Sequence, residues 1–445
     1  MPAEPPEISN LQLEDEPTRV IYCNGHAVLL TPVSKDGDIV IEVRDPSTLQ
    51  FSFFQVDSQC LSRVSPYFET LFHPTKFHEG ATLSEARLHL HESHKNSERA
   101  AVESLPRVTL EELGHLTSTR PSDRVVADFL RLLHGYDLPD LPKEISALKY
   151  AATLLILADR FQTISTVAPH VQHGKLAQAL DRKLKASKTL QFNEERERQK
   201  LLIGLMIGHF PLVQRSSKAL IINGSTMWDP EEEEEQDGEE DVDMWWDLPN
   251  GLETELRYRR ECILRTLNSI QTYFLKQFTS KQRQCRLGYD SSAQCDSFQL
   301  GEMVRFFVRI GTLRLQGNIY DHGEGADAHP GNLDRLLESL RQCPSYQIDR
   351  NHSHCGLRTL ILPILSYLEL WISLEAQICA RCWKDDRANY SWLSAPPSRT
   401  YKFQVSAPRG SRKNKSATSR TPCGTDHGVA KHIFTAETHE WKPDA

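Results

Sequence analysis

Between Asp38 and Phe72 the chain changes its secondary-structure signal four times, and that density limits the folds open to it. Asp36-Gly37 is a turn signal, and Asp38–Val43 (DIVIEV) is rich in β-branched residues, so a strand is expected. A second strand is expected at Phe51–Val56, after the turn at Asp45-Pro46-Ser47. Two helix starts follow. Asp57 or Ser58 can cap the first, with Cys60, Leu61 and Val64 turned inward. Ser65-Pro66 opens the second, pairing an N-cap serine with a proline whose missing N–H costs nothing there. Phe68, Leu71 and Phe72 form its apolar stripe. Leu88-His89-Leu90-His91 alternates like an edge strand, and Val108-Thr109-Leu110 resumes strand character. Val125–Leu133 and Ile145–Phe161 read as helices.

This order, and the residues that carry it, resembles the opening of a BTB/POZ domain. The matching residues are Asp38-Ile39-Val40-Ile41, Phe54-Gln55-Val56-Asp57-Ser58 and Leu61-Ser62-Arg63-Val64-Ser65-Pro66-Tyr67-Phe68-Glu69-Thr70-Leu71-Phe72. Phe129–His134 with Gly135, and Leu157-Ala158-Asp159-Arg160-Phe161, are similar to later family signatures. The resemblance implies an α+β domain, a small mixed sheet flanked by helices, over residues 36–170 behind a tail of residues 1–35. It also implies protein–protein interaction rather than turnover, with Phe68 and Phe72 among the apolar anchors. Members that bind a cullin scaffold often carry an apolar-x-Glu motif after the Ser-Pro helix, and Phe77-His78-Glu79 stands there. The partners expected are other proteins, a cullin scaffold among them, and a homodimer is open. Asp57 stands where the family usually has histidine. Residues 81–108 are longer than its ordinary connection, and residues 1–35 show no helix of the kind that dimeric members exchange. A nuclear transcriptional or chromatin regulator is the alternative function.

From about residue 171 to 395 the apolar period is helical, so an all-α region is expected, its central helix near 253–285. There Leu256, Ile263, Leu267, Ile270, Phe274 and Phe278 recur at three-to-four spacing, as a core-facing stripe does. Asp229–Asp243 holds eleven acidic residues and no basic one. Such a run repels itself, so a disordered loop is expected. Residues 396–445 are polar, with Arg409, Arg412, Lys413 and Lys415 clustered. A disordered tail is expected there, and its basic cluster permits a nuclear-import signal.

Bulk properties exclude several classes. A net charge of −8 argues against nucleic-acid binding through a basic field. The start MPAEPPEISN is acidic and Pro-rich, unlike a secretory signal. The apolar run Leu360–Ile372 is interrupted by Pro363 and Glu369, so no membrane span is expected. Ten cysteines without a secretion signal suggest a cytoplasmic or nuclear protein whose thiols stay reduced or bind metal. No phosphate loop, dinucleotide fingerprint or nucleophile elbow is present, so no enzyme and no organic cofactor are expected.

The most specific chemical signal is a cysteine–histidine cluster in the second half. Cys343, His352 or His354, and Cys355 lie within thirteen residues, a stretch similar to the C-terminal part of certain fungal BTB proteins of unknown role. Cys379-x-x-Cys382 follows one helix later. Zinc takes four thiolate or imidazole ligands in a tetrahedron, so Cys343, His352, Cys355, Cys379 and Cys382 are candidates for one structural zinc site. Buried thiols and capping histidines are the competing explanation.

Overall fold

The computed structural model describes residues 19–23, 26–44, 51–93, 104–111, 113, 122–142, 144–173, 176–178, 180, 191–228, 243–285, 287, 292–313, 331–394, 398–403 and 421–441. They form two compact units, Met1–His209 with Gly238–Leu248, and Phe210–Asp237 with Pro249–Ala445. The chain is mixed α and β, with small sheets and mostly helical content.

The first unit is built on a five-stranded sheet: β1 (Arg19–Cys23), β2 (His26–Pro32), β3 (Ile39–Arg44), β4 (Phe51–Val56) and β5 (Arg107–Glu111). Its order is β1-β2-β4-β3-β5. β3 runs antiparallel to β4, with Ile41 opposite Phe54, and parallel to β5, with Ile41 beside Val108. Strand residues in immediate succession are buried, Ile39, Val40 and Ile41 in β3 and Phe53 and Phe54 in β4. That is how a sheet covered on both faces reads. β1 and β2 fall where a tail was expected. Their hairpin extends the sheet, because β2 runs parallel to β4 with Leu30 beside Phe53.

Two helices follow β4 at once, α1 (Ser58–Val64) and α2 (Pro66–Leu71). Asp57 caps α1 by accepting from the backbone N–H groups of Gln59 and Cys60. Asp38, at the mouth of β3, accepts from Ser58 N and from Ser58 Oγ, both at 2.7 Å. Ser65 caps α2 and donates its hydroxyl to Phe161 O at 2.7 Å. One small side chain thus ties α2 to the end of a helix 96 residues later. Next come α3 (His78–Ser93), α4 (Asp123–Leu133), α5 (Ala147–Arg160), α6 (Ile164–His173) and α7 (Glu194–Met206). Phe161 is the hub of their core, stacked on Phe68 at 5.1 Å and tilted against Phe129 at 5.5 Å. Gly135 ends the α4 turn at φ +81°, where a side chain would be strained. The edge strand expected at Leu88–His91 is helix instead. Glu79, Ala81, Leu83, Glu85, Ala86 and Arg87 all favour helix, and Leu88 and His89 are exposed on it, so their alternation marks no sheet face.

The first unit also runs past residue 170 and takes in the residues after the acidic run. Trp245 is fully buried, its carbonyl and that of Trp246 accepting from Arg198 Nη1. Residues 229–242, most of the acidic run, lie outside the described residues, as does the basic cluster at 409–415.

The second unit is helical around α9 (Leu252–Phe278), which is preceded by α8 (Phe210–Asn223). The expected stripe of α9 is core: Leu256, Ile263, Leu267, Ile270, Phe274 and Phe278 are all buried. Then come α10 (Ser292–Arg309), α11 (Leu333–Arg341), α12 (Leu357–Glu375), α13 (Ala380–Asp385), α14 (Arg387–Tyr390) and α15 (Gly428–Thr435). Arg350–Glu375, which ends in α12, is long and apolar enough by composition to cross a membrane, contrary to the expectation from Pro363 and Glu369. Its helix buries Ile361, Ile364, Leu365, Leu368 and Ile372 within the unit.

The C-terminal residues are part of this fold rather than the expected disordered tail. β6 (Ser398–Lys402) pairs in parallel with β7 (Ala436–Glu440). Trp441 is fully buried and donates its indole N–H to Ser269 Oγ at 2.9 Å. Phe434 stacks on Trp392 at 5.3 Å. These aromatic anchors are too sparse to show as periodicity.

Candidate metal centres

Among the described residues, two groups of four cysteine and histidine side chains converge in the second unit. Cys285, Cys295, His352 and Cys355 form one, and Cys379, Cys382, Cys423 and His427 the other. Within each, the ligating atoms lie within 4.8 Å of one another. Either group can hold a metal ion.

The first group joins three helix ends. Cys285 follows α9, Cys295 lies in the first turns of α10, and Cys355 directly precedes α12. His352 closes the 3-10 turn Arg350–His352, which Asp349 caps by accepting from the N–H groups of Asn351 and His352. All four side chains are buried. Cys285 Sγ lies 3.5 Å from His352 Nδ1 and 3.8 Å from Cys355 Sγ. Metal–ligand lengths of about 2.3 Å to sulfur and 2.0 Å to nitrogen give tetrahedral edges of about 3.8 Å (S–S) and 3.5 Å (S–N). The two observed edges match. His352 Nε2 points toward Asp349 Oδ2 at 3.8 Å, on the side away from the cysteines.

The second group is set by a buried ion pair. Glu255 and Arg259, one turn apart on α9, are fully buried and meet at 2.7 Å. Glu255 accepts from Ser391 Oγ and Trp392 N, which offsets its desolvation. Arg259 lies over the Tyr390 and Trp392 rings and donates to the carbonyls of Ala376 and Gln377. Those carbonyls belong to the turn that leads into Cys379. Tyr390 Oη accepts from Cys379 N at 2.6 Å, and Ser217 Oγ accepts from Ile378 N. Cys379-x-x-Cys382 is therefore not inside one apolar helix, as the sequence suggested. It sits at the break between α12 and α13, where the backbone turns and both sulfurs can face one point.

Cys423 and His427 come from the segment that leads into α15. Cys423 Sγ is 3.3 Å from Cys382 Sγ and 3.1 Å from His427 Nε2, closer than in the first group. His427 Nδ1 meets Glu375 Oε2 at 2.6 Å. A metal-bound imidazole takes this arrangement, one nitrogen toward the ion and the other N–H donated to a carboxylate. Cys379, Cys423 and His427 also line an open cleft with Phe210, Gln377 and Arg381.

The protonation of both groups shows what they need. Burial opposes a thiolate at Cys285, yet hydrogen bonds, the Leu287 backbone N–H foremost, bring its thiol down to about 7. Burial and the neighbouring Cys355 and Cys285 push Cys295 up to about 12. In the second group burial likewise opposes ionisation of Cys423, and hydrogen bonds from the Thr425 N–H, Cys382 and His427 together outweigh it, bringing the thiol to about 6. Cys382 is pushed up to about 12, chiefly by burial. His427 is raised to about 10 against its burial, by bonds to Cys379, Glu375 and Cys423. Within each cluster the neighbouring sulfurs oppose one another's ionisation. A divalent cation is what lets all the sulfurs ionise together.

The single five-residue site expected from the sequence is corrected to two four-residue sites. His352 and Cys355 belong to the first, Cys379 and Cys382 to the second. Cys343 belongs to neither. It is buried, its Sγ lies 3.8 Å from Pro344 O, and burial pushes its thiol up to about 11. His354 is exposed. Cys285, Cys295, Cys423 and His427 are not among the residues expected from the sequence; 40 residues separate Cys382 from Cys423, longer than the common zinc spacings. The residues expected to face a partner divide as well. Phe68 is fully buried and Phe72 nearly so, which makes both core residues rather than offered anchors, whereas Phe77 is 52% exposed and Glu79 is exposed. No family model, no curated protein and no solved structure matches this chain.

Proposed function

We propose that the chain is a non-catalytic protein-interaction protein, with a BTB/POZ-like first unit and a helical second unit braced by two structural zinc ions. The observation that carries the interaction reading is the strand and helix order from Asp38 to Phe161. A hairpin β3–β4 leads into two capped helices, β5 returns parallel to β3, and Ser65 bonds to Phe161 O. The hairpin, the two helices and the Ser65–Phe161 pair fall where the sequence resembles that family. Zinc is favoured because each cluster offers three sulfurs and one imidazole, a soft tetrahedral set. Four protein ligands per ion leave no open position for substrate, so these centres suit bracing rather than catalysis.

Within this reading the chain acts as an adaptor for a cullin-type ubiquitin ligase. Phe77 and Glu79 stand exposed at the start of α3, directly after the Ser-Pro helix. An exposed aromatic beside a carboxylate suits a partner surface with an apolar pocket and a rim cation. The test is affinity purification from cells with identification of the recovered proteins by mass spectrometry. A cullin is expected with the wild-type chain and is lost with Phe77→Ala/Glu79→Ala. A wild-type chain that never recovers a cullin ends the adaptor assignment.

A further inference from the structure

The two clusters differ in how an outside reagent reaches them. In the first, all four side chains are buried. In the second, Cys423 is only half-buried and lines the open cleft with Cys379 and His427. Behind it, Cys382 is 1% exposed, with its Sγ 3.3 Å from Cys423 Sγ. An accessible sulfur with a second one waiting behind it is the layout of an oxidisable pair, attacking and resolving. The first cluster's Cys285–Cys355 separation is wider, at 3.8 Å, with neither sulfur exposed.

We propose that the second cluster is a peroxide-responsive zinc–thiolate centre, in which oxidation joins Cys382 to Cys423 and expels the metal. This rests on the reading of the clusters as zinc sites. The Cys423 thiolate attacks one oxygen of a hydroperoxide, here hydrogen peroxide. The O–O bond breaks, hydroxide leaves and is protonated to water, and the sulfur becomes a sulfenic acid. The Cys382 thiolate then attacks that sulfur. The S–S bond forms, the S–O bond breaks, and the second hydroxide leaves as water after protonation. The two thiolates lose two electrons, which reduce one peroxide to two waters. Zinc keeps its charge throughout, but it loses two of its four ligands and departs as Zn²⁺.

The structural consequence follows from where the ligands sit. Cys379 and Cys382 flank the start of α13, and Cys423 and His427 lead into α15. Oxidation replaces a four-point tie between these segments with one covalent link. His427 keeps its bonds to Glu375 and Cys379, with no ion to fix them. The 421–435 segment is then joined to the unit but loosely seated, whereas the first cluster keeps its ion.

The experiment uses the full chain, purified without an affinity tag and analysed for zinc. Hydrogen peroxide is then added, released metal is followed with a chromophoric chelator, and the protein is peptide-mapped without reduction. We expect two equivalents at the start, one released and one retained, and a Cys382–Cys423 crosslinked peptide. Thiol reductant with added zinc should restore the second equivalent. Two equivalents at the start with none released, with both released together, or with release but a different crosslink, overturn the proposal and leave the zinc reading standing. A chain purified without zinc overturns both. Cys423→His keeps four ligands but removes the attacking sulfur, so its zinc should leave about tenfold more slowly or not at all. Release from that variant at the wild-type rate overturns the proposal.

Discussion

The two units close their cores by different means. The first relies on contiguous apolar surface. Its strands bury residues in succession, α5 is buried along nearly its whole length, and Phe161 gathers Phe68 and Phe129 around one ring. The second has an apolar stripe on α9, but the places where its helices begin and end are joined by sulfur and imidazole. Chain ends and turns have few apolar neighbours, and their backbone polar groups must be satisfied. A metal ion gathers two or three turns distant in sequence at one point without needing a thick apolar layer there. The first unit is therefore specified largely by local pattern, and the second by contacts made far apart in sequence.

Removing metal should separate the two units most sharply. Structural zinc contributes on the order of 10 kcal/mol per site in small domains, comparable to the whole stability of a domain, about 5–15 kcal/mol. A high-affinity chelator is expected to abolish cooperative unfolding of residues 249–441 and leave the unit built on β1–β5 as it was. Hydrogen exchange read by peptide would show this, with protection lost in α9, α10, α12 and α15 and kept in α4 and α5. Equal loss in both units, or no loss in either, would break the comparison.

The complementary change is Phe161→Ala. It removes a 2%-exposed ring from the centre of the aromatic cluster, and large-to-small changes of this kind cost about 3–5 kcal/mol. The cost should fall on the first unit alone. Thermal unfolding followed by peptide-level exchange is expected to show early opening of α2, α4 and α5, with the zinc content unchanged. A loss of zinc with this variant would mean that the two units are not specified independently.

How much of this was legible follows the same division. Ser65-Pro66, and Asp57 as one of two candidate caps, declared themselves because capping acts over a few residues, and the structure uses both as caps. The stripe on α9 was legible for the same reason. The helix over 78–93 was not, because four residues of alternation outweighed a longer run of helix formers. The bonds that Asp38 and Phe161 accept were not legible either, because their donors lie far along the chain. Cys423 and His427 were hidden by their surroundings. They lie in a polar, Ser- and Lys-rich stretch whose fold depends on Trp441, Phe434 and a partner cysteine 41 residues earlier. Cys343 was nominated by its nearness in sequence to His352 and Cys355. Nearness in sequence is not convergence in space, and the chain between them turns Cys343 toward a different wall.

That error leads to the smallest expected effect and the most direct check on the site assignment. Cys343 follows α11 and packs as a small apolar side chain. Its Sγ lies 3.8 Å from the carbonyl of Pro344. Among the described residues it belongs to neither cysteine–histidine group, and burial pushes its thiol up. Arg358 Nη1 donates to the carbonyls of Arg341 and Cys343, so the backbone at this turn is held without the sulfur. Cys343→Ala removes one buried atom and leaves the turn's hydrogen bonds in place, for a cost of about 1 kcal/mol from the small void. Both equivalents of zinc should remain, whereas Cys355→Ala, twelve residues on, should lose one. If Cys343→Ala instead loses metal, the first site has been assigned the wrong sulfur, and the match of its edges to a tetrahedron is accidental.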